Sequence, residues 1–460
     1  MLHEAVSSPA QNVQFTVLHS FTNNPDGASP SGCLVEGSDG AIYGATESGG
    51  TNVGTFYKIY KNGDGYVKLA DLNLNSYQPA GGLLQASNGL IYGVTTGYGI
   101  GGYATNDGTL FSMNGDGSGY FTPCVFPQNN HDVAFPVGHL IQAIDGGLYG
   151  ISESGGANGD GTIYRFDPNS GQHSVVCSFT NNGYWNARNA GLIQGKDGLL
   201  YGTTYSSVMP NGSGGWIFKI NTNGTGFNII FSLPELTNNT YDYANPQANL
   251  IQASDGVLYG TTYGASGANV GGTVFKINTD GTGYSVIHEF GRYTVGGNLW
   301  ENDGSDPVAG LLEGTDGTLY GTTSGTWNNV GFGTIFKVNK DGSKYAILHT
   351  FSSSDGVYPD SSLLLGSDGA LYGTSQASYA AYGTIFRLVI TPELSAASTN
   401  GTPQITLFGL AGQNCQIQIS TNLISWASFT NLVLNTDGLA QFTDGSAGQN
   451  QVRFYRTSTQ

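Results

Sequence analysis

Charge is scarce in this 460-residue chain, and positive charge scarcest: 15 Lys and Arg stand against 32 Asp and Glu, a formal net charge of −17, with only 10% of residues charged. That balance repels phosphate backbones and anionic bilayers, so nucleic acid is not an expected partner. Long apolar runs are missing as well. No stretch approaches the roughly 18 residues of a membrane span, and the opening "MLHEAVSSPAQ" lacks the apolar core of a signal peptide. Cysteine is sparse, with four copies widely spaced in strand-like contexts. They read as buried free thiols, since an unpaired Cys behaves as a small hydrophobe, and not as a disulfide framework.

Glycine is what the chain has in excess. Its 72 copies and the 15 prolines make 87 of 460 residues, about 19%, below the roughly 25–30% of low-complexity disorder, and 12% aromatics supply a core. Two of those glycines recur together in one phrase. "DGVLYGTT" (255–262) returns as "DGAIYGAT", "NGLIYGVT", "DGGLYGIS", "DGLLYGTT", "DGTLYGTT" and "DGALYGTS", its tyrosines being Tyr43, Tyr92, Tyr149, Tyr201, Tyr259, Tyr320 and Tyr372. A period of 49 to 61 residues marks a propeller, a solenoid or a tandem array.

Each repeat carries four strand signals, clearest in residues 248–290: strand A "NLIQAS", strand B "VLYGTT", strand C "GTVFKI" and strand D "YSVIHEF". Short Asp-Gly turns join A to B and C to D, glycine supplying positive φ. Strand C is apolar on both sides, as a sheet covered on both faces requires. The glycine after the tyrosine in strand B marks a place with no room for a side chain. The first D signal, "FTVLHSF" (15–21), precedes every A strand, and the last C strand, "GTIFRLVI" (383–390), has no D strand after it. Pairing the two would close the array and hide its edges. The expected fold is therefore all-β: a seven-bladed β-propeller over residues 15–390, closed by the N-terminal strand, after an extension at 1–14. Five further strand signals from 404 to 459 predict a small immunoglobulin- or fibronectin-III-like β-sandwich in a module spanning 391–460.

The pattern "GLL…DG.LYGTT…GTIFK" resembles the GloVer-type tandem repeat of the choice-of-anchor bacterial surface and secreted proteins, over roughly residues 15–390. The resemblance implies a propeller in an exported protein with a variable C-terminal module, hence an extracellular or cell-surface location. It implies no catalytic motif.

The tight A–B and C–D turns share one rim, so the long D–A and B–C connections share the other, and variable loops on a rigid scaffold are where function concentrates. Those loops hold aromatics among Asn and Asp, a mixture suited to a sugar's apolar face and hydroxyl rim. The candidate ligand-binding residues are Tyr184, Trp185, Asn186, Arg188, Trp216, Tyr241, Tyr243, Tyr293, Trp300 and Trp327, against the plainer reading that they pin loops to the scaffold. Candidate catalytic residues on the same rim are Asp132, Asp242, Glu301 and His131, an acid pair being what glycoside hydrolysis needs. A lyase acting on uronates would want cations, and Lys58, Arg165, Lys219, Lys276, Lys337 and Arg387 fall instead in one column of strand C. His19, His288 and His349 share a column of strand D with Cys124 and Cys177, which separates them too far for a metal cluster. His131 and His139 are the only histidines placed to act together. Turns such as "NGDGSG" and "NTDGTG" resemble calcium loops in composition but lack their run of acids. No cofactor or metal is expected, calcium being the alternative. The leading expectation is a monomeric protein that binds a glycan or another extracellular polymer. A carbohydrate-active enzyme and a structural envelope protein are the rivals.

Overall fold

The computed structural model describes residues 13–51, 54–72, 78–97, 107–127, 132–179, 191–204, 215–233, 246, 248–263, 271–291, 304–325, 332–376, 382–399, 402–447 and 453–459. Among these the chain is all-β. Seven four-stranded antiparallel sheets follow one another, six of them in plain sequence order. The remaining one joins Val13–Ser20 to Thr384–Ile390, with Val13 opposite Ile390 and Ser20 opposite Thr384, as the missing D strand required. The sheets are numbered 1 to 7 here by their A strands.

Packing between neighbouring sheets accounts for the doubly apolar strand C. In Thr273–Ile277 every residue but Lys276 is buried, and the pattern repeats in Thr55–Ile59, Thr162–Phe166 and Thr334–Val338. The strand-B glycine is explained by the same strand. A Cβ on Gly202 would lie 2.5 Å from the Phe218 ring, and one on Gly373 would lie 2.4 Å from Phe386. The close neighbour is thus an aromatic side chain, not a backbone.

The recurring Asp and Tyr are built into the A–B turn. Asp255 Oδ1 accepts the Val257 amide at 3.1 Å, and the Tyr259 hydroxyl donates to Asp255 Oδ2 at 2.9 Å. The same pair of bonds holds Tyr43, Tyr149, Tyr201, Tyr320 and Tyr372 to Asp39, Asp145, Asp197, Asp316 and Asp368. Burial first, and the nearby carboxylate second, push the Tyr259 hydroxyl well above its ordinary pKa, so it stays a donor.

A second set of bonds ties each sheet to the next. The amide one residue before the turn Asp or Asn donates to the side chain that ends the following A strand: Ser38 to Gln85, Ser87 to Gln142, Ile144 to Gln194, Lys196 to Gln252, Ser254 to Glu313, and Ser367 back to Glu36, all at 2.7–2.8 Å. The bonds link sheets 1 to 6 in order and return from sheet 7 to sheet 1. Only the junction between sheets 6 and 7 departs, because Leu365 stands where the others have Glu or Gln.

The C-terminal unit docks at that junction. It has six strands, in two three-stranded sheets that share one apolar cluster of Ile405, Leu407, Cys415, Ile417 and Tyr455. The extra strand, Glu393–Thr399, escapes sequence reading because "ELSAAST" is short of β-branched and aromatic residues. Ala411 donates its amide to Thr315 Oγ1 at 2.7 Å, and Leu410 joins the core cluster of Tyr320, Leu371 and Phe386. "RFYR" has a local purpose: Arg453 and Tyr455 both donate to the buried Asp444.

Candidate functional site

Four D–A connections enter their A strands through one strained turn. Ser29, Phe135, Asp306 and Tyr358 have φ of 51°, 54°, 57° and 50°, and each directly precedes a proline. Non-glycine residues rarely hold that conformation without support, and here each amide donates to a carbonyl of the preceding sheet, at Tyr382, Asp107, Gly271 and Phe332. The turn aims the start of strand A at a common centre.

That centre is a cavity of about 430 Å³. Its wall combines the starts of A strands with the ends of B strands, so it lies on the face of the D–A and B–C connections. The position just before the first leucine of strand A is, around the sheets, Cys33, Gly82, His139, Gly191, Asn249, Gly310 and Ser362. Side chains alternate with glycines, and sterics demand it. A Cβ on Gly191 would fall 1.7 Å from Asn249 Oδ1, one on Gly82 would fall 2.8 Å from the Cys33 Cβ, and one on Gly310 would fall 2.9 Å from Ser362 Oγ.

In the cleared space Cys33 Sγ lies 3.9 Å from His139 Nδ1, and the Asn249 amide is within 2.6 and 2.9 Å of the two ring nitrogens. Burial alone would raise the Cys33 thiol, but His139 and Ser362 outweigh it and bring the pKa down. Burial likewise opposes a charged His139, and Cys33 reverses the sign, so the ring is pushed up. A second group faces the same cavity. Asp360 Oδ2 accepts from Gln376, while its Oδ1 is buried without a hydrogen-bond partner among the described residues. Burial, then the charge of Glu47, pushes the Asp360 carboxyl up to about 7, and burial raises Glu47 as well.

Of the candidate residues named from sequence, two fall on described positions. Trp216 begins a strand C at the place other repeats give to Thr, half-buried opposite Thr204 and Ser232, and the cavity wall is made of other residues. Asp132 accepts from His173 Nε2 at 3.0 Å, and the other side of that ring meets Cys124 at 3.3 Å. Cys124 is only 5% exposed, and burial lifts its pKa to about 12, so this is a packing contact and not a reactive thiol. Tyr184, Trp185, Asn186, Arg188, Tyr241, Tyr243, Tyr293, Trp300 and Trp327, with His131, Asp242 and Glu301, lie outside the described residues. His139 meets Cys33 and Asn249, while His131, its expected companion, lies outside the described residues.

The strand-D histidines are packing groups. His19 stacks on Tyr66 at 3.8 Å, His288 on Tyr345 at 3.7 Å and His349 on Phe15 at 3.6 Å, each across a junction between sheets. In the glycine-rich turns, Asp116 and Asp280 accept from Ser118 and Thr282 of their own turns. All four cysteines are free thiols, and Cys33 is the one on the cavity wall.

Sequence reasoning passed over the axial column because it sought function where loops differ in length. The signal was present nonetheless. Aligned on the strand-A leucine, one position alternates between glycine and Cys, His, Asn or Ser, while its neighbours hold to small or apolar residues.

In overall shape the chain is similar to an oligogalacturonate lyase from Vibrio parahaemolyticus, with a TM-score of 0.52 at 13% identity over 83% of this chain and 95% of that one. A polysaccharide lyase solved with bound ulvan oligosaccharide matches at a TM-score of 0.48 and 10% identity, over 86% and 96% of the two chains, too far in shape to carry an argument. The first likeness speaks to the fold alone, which is propeller-like. No curated protein matches the chain. The profile of the Gloeobacter/Verrucomicrobia repeat matches residues 6–209 and 188–391, and the chain belongs to that family.

Proposed function

We propose that the seven sheets are the blades of one closed propeller, capped by a small C-terminal sandwich, and that the protein binds a neutral glycan outside the cell through its axial cavity. The observation that carries this reading is the composition of the cavity wall. Amides, hydroxyls and two phenols (Asn249, Gln376, Ser324, Ser362, Tyr263 and Tyr358) surround a concave space of about 430 Å³. Few convergent polar groups in a preformed hollow are what a small hydroxylated ligand needs. Asp360, held neutral below about pH 7, beside the carboxylate of Glu47 favours a neutral sugar over a uronate, whose carboxylate would ask for Lys or Arg in the wall. The rim aromatics Trp185, Trp300 and Tyr241 would extend the contact along a longer chain.

The test is a neutral-glycan array followed by calorimetry. Tyr263→Ala should weaken binding about tenfold, equivalent to roughly 1.4 kcal/mol, without moving the melting temperature. An array that stays empty would sink the reading. One observation favours a hydrolytic alternative, the two carboxyl groups on one wall, for which release of reducing ends lost in Asp360→Asn is the decisive result.

A further inference from the structure

We propose that Cys33 is a nucleophilic thiol, with His139 as its base, set for acyl transfer on the wall of the axial cavity, where Asn249 packs against the ring. The inference goes beyond the binding reading and does not depend on it.

Convergence is the first support. Cys33, His139 and Asn249 come from sheets 1, 3 and 5, more than a hundred residues apart in sequence, yet they meet because they occupy one repeat position. The intervening Gly82 and Gly191 leave the room, and a side chain at either would collide with the group beside it. Access is the second. Cys33 lines the cavity, whereas Cys124 and Cys415 are buried. Electrostatics agree: burial opposes ionisation of Cys33, and His139 overcomes it, in the manner of a thiol paired with imidazole. The other ionisable groups on the cavity wall are Asp360, Glu47, Tyr263 and Tyr358, and protonation of Asp360 below about pH 7 removes a competing negative charge.

The chemistry balances without a cofactor. His139 takes the thiol proton as Cys33 Sγ attacks the carbonyl carbon of an ester. A C–S bond forms and the carbonyl π pair moves to oxygen. Collapse breaks the C–O bond, and the imidazolium gives its proton to the leaving alkoxide. Water, deprotonated by His139, then attacks the thioester, breaks the C–S bond and releases the acid, while the proton returns to sulfur. The sum is ester plus water to acid plus alcohol.

Iodoacetamide treatment of the full chain at pH 6, with peptide mass mapping, should alkylate Cys33 at least about tenfold faster than Cys177. His139→Gln should remove that advantage. Should that variant fail to fold, the wild-type pH profile decides. A Cys33 rate that levels off below about pH 8 supports activation by His139, and one still rising about tenfold per pH unit there, as for a free thiol, overturns it. p-Nitrophenyl acetate should then give a stoichiometric burst and an acetyl group on the Cys33 peptide, both absent from Cys33→Ser. Equal labelling of Cys33 and Cys177 would overturn the nucleophile, and selective alkylation without acetylation would overturn the acyl transfer.

Discussion

Asp360 meets the cavity with Gln376 on one oxygen and no hydrogen-bond partner among the described residues on the other. Its pKa is about 7 in the fold against an ordinary 3.8, so between those values the native state binds more protons than the unfolded chain. Stability therefore falls as pH rises from about 4 to about 7 and is level above that. Asp360→Asn keeps an acceptor for Gln376 and abolishes the titration. The variant should match the wild type near pH 4 and exceed it near pH 8 by on the order of 2–4 kcal/mol in urea unfolding. A wild-type pH dependence retained in the variant would refute this account. Glu47 shifts the same way and should leave a smaller residual slope. At this scale the sequence was least legible. Asp360, Cys33 and Asn249 are ordinary residues in ordinary strand contexts, and only the circular arrangement of the A strands makes them neighbours.

Elements were far easier to read, because each repeat states the same local physics again. Doubly apolar C strands, Asp-Gly turns and the obligatory strand-B glycine all stand where sequence puts them, and the pairing of Val13–Ser20 with Thr384–Ile390 follows from counting. Strand Glu393–Thr399 escapes such a reading for want of β-branched side chains, and Trp216 begins a strand C, at its edge with the preceding loop. One irregularity in strand C yields a prediction. Five sheets place a phenylalanine against the strand-B glycine, but two place Tyr57 and Tyr164, whose buried hydroxyls lack a hydrogen-bond partner among the described residues. An unmade bond to a buried hydroxyl costs about 1–3 kcal/mol, so Tyr57→Phe and Tyr164→Phe should each stabilise the protein, by about 1 kcal/mol, measured as a shift in urea midpoint at constant slope. Destabilisation in both would show that the hydroxyls are satisfied by water.

Across the whole molecule, the side-chain-to-amide bonds between sheets determine how the array holds together. Each contributes about 1 kcal/mol, and the junction between sheets 6 and 7 has the Leu410 contact and the Ala411–Thr315 bond in place of one. Removing residues 391–460 should therefore cost about 3 kcal/mol, counting one buried leucine and the lost bonds, with hydrogen exchange rising first in the A strands of sheets 6 and 7. Leu365→Gln should restore part of that loss in the shortened chain. Uniform exchange across all seven sheets would contradict it.

The usual weak point of a circular array is the place where its two ends meet, yet here that join is a full strand pairing inside sheet 7, and Ser367 and Glu36 fasten sheet 7 to sheet 1 as the other junctions are fastened. The seam has been moved one sheet back, and the C-terminal unit sits in it as a keystone. Pulling on the C-terminus would thus load the seam before the closure, so the array should part between Glu313 and Leu365 and open like a book at a chosen page.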